Sequence, residues 1–139
     1  MEQAIQPRSW QPIFELGIPP IDKQHKNVTL HIERLQDLLE KQTNKAELLD
    51  CLVPLFEVMM AHFTYEETLL KQVDFPGVQE HSEEHWEYLQ QAREFVNLID
   101  SENYQCFGTV LNDLLCRWLE DHILTKDKAF VDYVSLESI

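Results

Sequence analysis

Residues 62–85 read HFTYEETLLKQVDFPGVQEHSEEH and contain two pairs of metal-binding residue types, His62 with Glu66 and His81 with His85. The members of each pair are four residues apart, so on a helix they lie on one face, one turn above the other. The intervening Asp-Phe-Pro-Gly segment is typical of a turn that sends a second helix back along the first. The stretch therefore predicts two antiparallel helices whose polar pairs face the space between them, which is the outline of a metal site.

Length and composition narrow the class of protein. A chain of 139 residues with 44% apolar and 26% charged residues is typical of one globular domain. The net charge of −14 argues against binding to nucleic acid or to anionic membranes. No apolar run approaches the ~18 residues of a membrane span, and the N-terminus does not resemble a signal peptide. Cys51, Cys106 and Cys116 form no Cys-x-x-Cys pair, and we expect free thiols in a cytoplasmic protein.

Apolar residues recur at helical spacing along four segments of the chain. We expect helices over about residues 20–41, 45–73, 77–100 and 104–134. Residues 1–19 have no clean periodicity, and their apolar side chains are expected to form an arm laid over the core. No segment alternates as a strand does. The sequence thus predicts a single all-α domain over residues 1–139, an up-down-up-down antiparallel four-helix bundle with an extended N-terminal arm.

Two of the predicted helices contain an irregularity. Pro54 lies inside the second segment, where it should kink the helix or mark a late start. In the fourth segment His122 and Asp127 are five residues apart, and an ideal helix would turn them away from each other by about 140°. Because both side chains need to face one site, we predict a one-residue π-bulge or a locally unwound turn between them.

Seven polar residues occupy positions in the apolar stripes of the four helices. They are His25, His62, Glu66, His81, His85, His122 and Asp127. One histidine of this kind is usually hydrogen-bonded within the core, but each unpartnered buried polar group costs about 1–3 kcal/mol. A domain stable by about 5–15 kcal/mol could not carry seven of them. A metal centre resolves the problem, because imidazoles and carboxylates then become ligands. The sixth histidine, His31, faces elsewhere.

The number of donors indicates two metal ions. Five imidazoles, two carboxylates that each bridge both ions, and one shared oxide or hydroxide leave one coordination position open on a pair of octahedral ions. Nitrogen and carboxylate ligands without thiolate favour iron or manganese over a closed structural zinc site. An open position on a redox-active pair of ions predicts that a small molecule binds there.

Two competing metal-site motifs are absent from the sequence. The segment His81-Ser-Glu-Glu-His85 lacks a glutamate at its second position, so it is not the His-Glu-x-x-His motif of zinc proteases. The paired Glu-x-x-His motifs of ferritin-like di-iron proteins are also missing.

The chain resembles the hemerythrins, in their bacterial form. The likeness extends over about residues 8–133, and all seven polar positions are filled at the spacing of that family. The matching pieces are Trp10, Gly17-Ile18-Pro19, Ile21-Asp22-Lys23-Gln24-His25, His62-Phe63-Thr64-Tyr65-Glu66-Glu67, His81-Ser82-Glu83-Glu84-His85 and His122-Ile123-Leu124-Thr125-Lys126-Asp127.

This resemblance implies a non-haem centre of two iron ions that cycle between Fe²⁺ and Fe³⁺. One iron would be held by His81, His85 and His122. The other would be held by His25 and His62 and would keep the open position, where dioxygen would bind. The bridges would be Glu66, Asp127 and an oxo or hydroxo group. Spacing alone assigns only His81 and His85 to the same ion.

Three apolar residues are predicted to line the oxygen pocket. Val28 follows His25 by three residues, and Leu119 precedes His122 by three. Phe63 joins them by resemblance rather than by spacing. All three would be core residues in any case, and in the pocket they would additionally keep water and protons from the bound oxygen.

Two functions fit this site. The first is reversible oxygen binding, for storage or delivery, with no catalysis by the domain itself. The alternative is an oxygen- or redox-sensing input domain of a longer bacterial signalling protein, such as a diguanylate cyclase or a chemotaxis receptor, whose output domain could be an enzyme. Residues 131–139 continue an apolar helical pattern, which fits both a helix that runs onward and a natural end. An oxidase or peroxidase has little support, because no further acid/base residues accompany the ligands.

Overall fold

The structure, a computed structural model, describes residues 10–100 and 102–137, and within them it contains helices and no strand. The helices are α1 (Pro19–Glu40), α2 (Lys45–Gln72), α3 (Val78–Leu98), α4 (Tyr104–Arg117) and α5 (Lys128–Glu137), and a π-helical segment (Trp118–Asp127) joins the last two. Together α4, the π-helical segment and α5 make the fourth helix of the bundle. The predicted boundaries differ from these by at most three residues.

The helices pack as a four-helix bundle. α1 contacts both α2 and α4, and α3 contacts the same two helices, so each helix has two neighbours around the core. Short turns join consecutive helices, which makes neighbours antiparallel. None of the helices in the described part of the chain combines the length and the hydropathy that a membrane crossing requires. The predicted all-α fold class is therefore confirmed.

The interior of the bundle consists of two apolar clusters. The smaller cluster contains Ile21, Leu70, Phe130 and Val131. The larger cluster fills the rest of the bundle and includes Val28, Phe63 and Ile123 from the same three helices. On each of these helices a predicted ligand lies between the two clusters in sequence: His25, Glu66 and Asp127. The polar residues thus form a layer between two apolar regions.

Pro54 does not interrupt α2. The helix begins at Lys45, capped by the side chain of Asn44, and runs through Pro54 to Gln72. The predicted late start is therefore wrong. The residues on either side of the proline explain why the helix persists there, since Cys51, Leu52 and Leu55 are all buried in the core. Burial of this face outweighs the single backbone hydrogen bond that proline cannot donate.

The N-terminal arm is described from Trp10 onward, and the part predicted over residues 1–9 lies outside the described residues. Trp10 and Phe14 are buried with their ring centroids 5.4 Å apart, as expected for an arm that covers the core. The buried carboxylate of Asp22 accepts hydrogen bonds from the backbone N–H groups of Leu16 and Gly17, at 2.8 and 3.0 Å. These bonds attach the arm to the first turn of α1.

The irregularity predicted between His122 and Asp127 is confirmed, and it is longer than one residue. The π-helical segment extends over ten residues, Trp118–Asp127. A π-helix bonds each residue to the one five positions away, so residues five apart lie one above the other. Both His122 and Asp127 are consequently buried on the same side of the bundle.

Candidate metal centre

The seven side chains predicted as ligands meet in one buried cluster between the helices. No member of the cluster is more than 2% exposed. α1 supplies His25, α2 supplies His62 and Glu66, α3 supplies His81 and His85, and the π-helical segment supplies His122 and Asp127. His31 is only partly buried and belongs to neither of the groups described below.

The cluster divides into two overlapping groups of potential ligand atoms. Within each group these atoms lie within 4.8 Å of one another. The three-histidine group comprises His81, His85, His122 and both carboxylates, whereas the two-histidine group comprises His25, His62 and the same carboxylates. Glu66 and Asp127 therefore belong to both groups.

The two carboxylate oxygens of Glu66 face different groups. Oε1 contacts Nε2 of His81 and lies 3.3 Å from Nε2 of His85. Oε2 lies 3.1 Å from Nε2 of His62 and 3.9 Å from Nε2 of His25. One oxygen is thus available to each group, which is the arrangement of a bridging carboxylate.

Asp127 divides its oxygens in the same way. Oδ1 lies 2.9 Å from Nε2 of His81 and 3.1 Å from Nε2 of His122, in the three-histidine group. Oδ2 lies 3.2 Å from Nε2 of His25, in the two-histidine group. Two carboxylates from different helices therefore present matching pairs of oxygens to the same two positions.

The donor atoms crowd together in a way that suits cations. Nε2 of His25 lies 3.0 Å from Nε2 of His62, and Nε2 of His85 lies 2.9 Å from Nε2 of His122. In each pair one nitrogen must turn a lone pair towards the other. Neither carboxylate oxygen of Asp127 accepts a well-oriented hydrogen bond from the described residues. Since buried native acceptors are normally satisfied, this donor set fits a pair of metal ions.

The carboxylates of the cluster are held in their ionised form. Burial and the nearby Asp127 both favour the neutral form of Glu66, but hydrogen bonds from His62 and His81 outweigh them and lower its pKa to about 2. Burial likewise opposes the ionisation of Asp127, and its contacts with His122 nevertheless hold the pKa well below its usual range. Both groups are therefore charged at neutral pH and available as ligands.

The pKa values of the imidazoles shift in different directions, according to whether the carboxylates or burial have the larger effect. Burial disfavours the charged form of His81, but the carboxylates of Asp127 and Glu66 outweigh it and raise its pKa to about 9. The pKa of His122 is also raised, because Asp127 overcomes the effect of burial. Burial lowers the pKa of His62. His81 thus holds a proton at neutral pH in the metal-free protein, and metal binding would release it.

Three further polar residues orient the histidines, a role that was not predicted from the sequence. Nδ1 of His62 lies 2.7 Å from Oε1 of Gln24, and Nδ1 of His122 lies 2.9 Å from Oε1 of Glu84. Nδ1 of His85 lies 3.4 Å from Oε2 of Glu67. An Nδ1–H that donates to an oxygen leaves the lone pair of Nε2 directed into the cluster.

These three residues did leave a signal in the sequence. Gln24, Glu67 and Glu84 each stand directly beside a predicted ligand in the chain. Adjacent residues on a helix point about 100° apart, so such a neighbour reaches towards the next helix rather than into the same site. Each of the three indeed contacts a histidine of a different helix.

The predicted pocket residues are all buried: Val28 is fully buried, Phe63 is 2% exposed and Leu119 is 6% exposed. The ring of Phe63 stacks on His85 at 4.0 Å and lies 5.8 Å from the ring of His62. Phe63 therefore lies beside histidines of both groups, whereas the family resemblance placed it beside the two-histidine iron alone.

Trp118 is a further wall residue, which was not among the predicted pocket residues. Its ring lies 6.3 Å from the rings of both His25 and His62, and it stacks on His122 at 6.2 Å. Trp118 precedes His122 by four residues, so spacing alone could have placed it on the site-facing side. Trp118 is fully buried and encloses the cluster from one side.

Two surface clefts approach the cluster from different sides. One, of about 130 Å³, adjoins His62 and is lined also by Gln24, Asn27, Val58 and Ala61. The other, of about 360 Å³, adjoins His85 and includes the exposed Trp86 in its wall. The cleft beside His62 is the one that reaches the two-histidine group.

Comparisons with known proteins agree with this architecture. Residues 16–134 match the family model described as the Hemerythrin HHE cation binding domain. The chain is 29% identical over 125 residues to a bacteriohemerythrin of Pseudomonas aeruginosa (strain LESB58), which covers 90% of this chain and 80% of the relative. It is 28% identical over 127 residues to a bacteriohemerythrin of Clostridium acetobutylicum, with 88% of this chain and 98% of the relative covered. A bacteriohemerythrin of Stenotrophomonas maltophilia (strain R551-3) is also 28% identical over 127 residues, which covers 90% and 80% of the two chains. Because the family model spans most of the sequence, this chain belongs to the hemerythrin family.

Proposed function

We propose that this protein holds two bridged iron ions and binds dioxygen reversibly at one of them. In this proposal one iron is bound by His81, His85 and His122, and the other by His25 and His62. Glu66 and Asp127 bridge the ions, together with an oxo or hydroxo group. The observation that carries the proposal is the division of both carboxylates between two groups with unequal numbers of histidines.

The donor set favours iron. It consists of imidazole nitrogens and carboxylate oxygens, a combination that suits iron better than a closed thiolate zinc site. When bound, a pair of ferrous ions supplies the electrons that dioxygen requires in order to bind at such a centre. The protein's own contribution is to fix the ligands, to keep one position free and to exclude water.

The free position belongs to the two-histidine group, because that group has one imidazole fewer. The surface cleft of about 130 Å³ beside His62 offers a small neutral molecule a short route to it. Val58 and Ala61, the two α2 residues that line this cleft besides His62, are apolar. The approach therefore suits dioxygen better than a charged substrate.

The walls of the site keep water from the free position. Val28, Phe63, Leu119 and Trp118 are buried and carry no charge, and the rings of Phe63 and Trp118 lie beside the histidines. A dry wall limits the delivery of protons to the site, and proton delivery promotes irreversible oxidation of the iron. A wall that excludes water favours storage or delivery of oxygen over a redox-sensing role. We propose no catalysis by this domain.

An oxygenation cycle tests the proposal. Iron-loaded protein would be reduced without oxygen, exposed to air and returned to argon while the visible absorption is recorded. We expect a new visible absorption band that appears in air and disappears under argon over several cycles. Complete conversion to an oxidised form after one exposure would contradict reversible binding and would favour the redox-sensing alternative. Turnover of a separate substrate would contradict the non-enzymatic assignment.

A further inference from the structure

The histidines of the two groups are oriented by chemically different partners. In the three-histidine group the Nδ1 atoms of His122 and His85 face carboxylates, at 2.9 Å from Glu84 and 3.4 Å from Glu67. In the two-histidine group the Nδ1 atom of His62 faces the neutral amide oxygen of Gln24 at 2.7 Å. Nδ1 of His25, the other histidine of that group, is buried without a hydrogen-bond partner among the described residues.

We propose that these contacts make the two metal positions unequal, so that the three-histidine position fills first and the two-histidine position fills second. Glu84 and Glu67 act as positioning residues that strengthen the first position. Gln24 sets the lower affinity of the second. This inference rests on the proposed two-metal site, and it adds an order of loading and the residues that determine it.

The physical basis is the basicity of the ligands. A carboxylate that accepts a hydrogen bond from Nδ1–H increases the electron density on the imidazole, and Nε2 becomes a stronger ligand. An amide oxygen carries no net charge and has a weaker effect. The side chains of Glu84 and Glu67 are only 25% and 27% exposed, so solvent screens their charges incompletely.

The surface around the three-histidine group adds to this difference. Glu84 lines a cleft of about 470 Å³ whose wall also contains Glu80, Glu83, Glu87 and Asp121, with Arg117 as the opposing charge. An acidic cleft raises the local concentration of cations. By contrast, none of the other four residues that line the cleft beside His62 carries a charge, and burial disfavours the charged form of His62 itself. Cations therefore collect on the side of the first position.

Stepwise addition of Co²⁺ to metal-free protein under argon tests the order of loading. The absorption bands of Co²⁺ report its ligands, and calorimetry reports its affinity. We expect two phases of about one equivalent each. His25→Ala should remove the second phase and keep the first, which assigns the phases to the two positions.

Charge-neutralising variants test the positioning residues. Glu84→Gln keeps a hydrogen-bond acceptor in place and removes the charge, so it should weaken the first phase by about tenfold or more and shift its Co²⁺ bands. Gln24→Glu should strengthen the second phase. Glu83→Gln is the matched control, because Glu83 is an exposed neighbour on the same helix that accepts a hydrogen bond from Gln79. It removes one charge from the same cleft, so it should weaken the first phase far less than Glu84→Gln does and leave the second phase unchanged.

Two failures have different meanings. If Co²⁺ binds to no more than one tight site in the parent protein and no variant changes this, the two-metal function itself is wrong. If two equivalents bind in one phase, or if Glu84→Gln changes the first phase no more than Glu83→Gln does, the order of loading is wrong although two metals bind. A first phase that is lost in His25→Ala would also overturn the proposed order.

Discussion

Nε2 of His122 lies 2.9 Å from Nε2 of His85, although the two histidines are 37 residues apart in the chain. His85 comes from the regular helix α3, whereas His122 comes from the π-helical segment Trp118–Asp127. The π-helical backbone is what allows His122 and Asp127 to enter the same cluster, because residues five apart then lie one above the other. The site therefore depends on a local departure from α-helical geometry.

Substitution of a cluster histidine should change the metal content, and substitution of His31 should not. His81→Ala removes an imidazole whose Nε2 contacts both carboxylates, so we expect the iron content to fall from two per chain to one or fewer. His31→Ala is the control, since His31 lies outside both groups. Metal analysis of the two purified variants measures the difference. Equal iron in both variants would remove His81 from the site.

Leu119→Ala should shorten the life of the oxygenated protein without loss of iron. Leu119 is 6% exposed and is predicted to line the oxygen pocket, so its truncation would admit water and protons. We expect the oxygenated absorption band to decay several-fold faster than in the parent. An unchanged decay rate at full iron content would mean that the pocket lies elsewhere.

A second leucine provides the control for that experiment. A buried Leu→Ala change costs about 2–5 kcal/mol of stability wherever it is made. Leu35 is fully buried in α1 and stands ten residues beyond His25, which is about 15 Å along the helix. Leu35→Ala should therefore lower the thermal stability comparably and leave the decay of the oxygenated band unchanged.

In the metal-free protein, Glu66 and His81 together should stabilise the fold most between about pH 4.5 and 6.5. The pKa of Glu66 is lowered from 4.5 to about 2 in the folded state, so its contribution is present above pH 4.5 and is lost as the pH falls towards 2. The pKa of His81 is raised from 6.5 to about 9, so its contribution is present below pH 6.5 and is lost as the pH rises through 9.

Urea unfolding of the metal-free protein at a series of pH values measures this profile. We expect His81→Gln to remove most of the loss of stability between pH 6.5 and 9, because the raised pKa is then absent. Bound metal should have the same effect, since it replaces the proton. A free energy of unfolding that stays constant from pH 6.5 to 9.5 in the metal-free parent would contradict the assigned pKa of His81.

Asp22→Ala should loosen the N-terminal arm. The buried carboxylate accepts two backbone hydrogen bonds, from Leu16 and Gly17, and their loss leaves both N–H groups without that acceptor. We expect a loss of about 1–3 kcal/mol in the free energy of unfolding and faster hydrogen exchange at the two amides. Asp50→Ala, at an exposed position of α2, is the control. Unchanged exchange at Leu16 and Gly17 would show that other contacts hold the arm.

The sequence predicted the helices and the cluster because both follow from periodicity. Apolar residues recur at steps of three and four, and this pattern placed His25, His62 and Glu66 on core faces. The five-residue step from His122 to Asp127 indicated the irregular backbone. Periodicity does not report contacts between helices, so the partners Gln24 and Glu84 were missed. The ligand role of the seven-residue cluster remains a prediction, as does the oxygen pocket.

Two further features depended on tertiary packing. The π-helical segment extends over ten residues, where a one-residue bulge or an unwound turn was predicted, and its residues Trp118 and Ile123 are packed in the core. The continuity of α2 through Pro54 is set by burial of the residues around it. Local sequence rules describe the preference of an isolated segment, and both features arise because the bundle outweighs that preference.

Metal analysis of the iron-supplied, purified parent protein tests the central claim most directly. The arrangement of two carboxylates between a three-histidine and a two-histidine group predicts two iron ions per chain, with neither zinc nor manganese in comparable amount. One tightly bound zinc ion per chain, retained after iron is supplied, would contradict the di-iron centre and with it the proposed binding of oxygen.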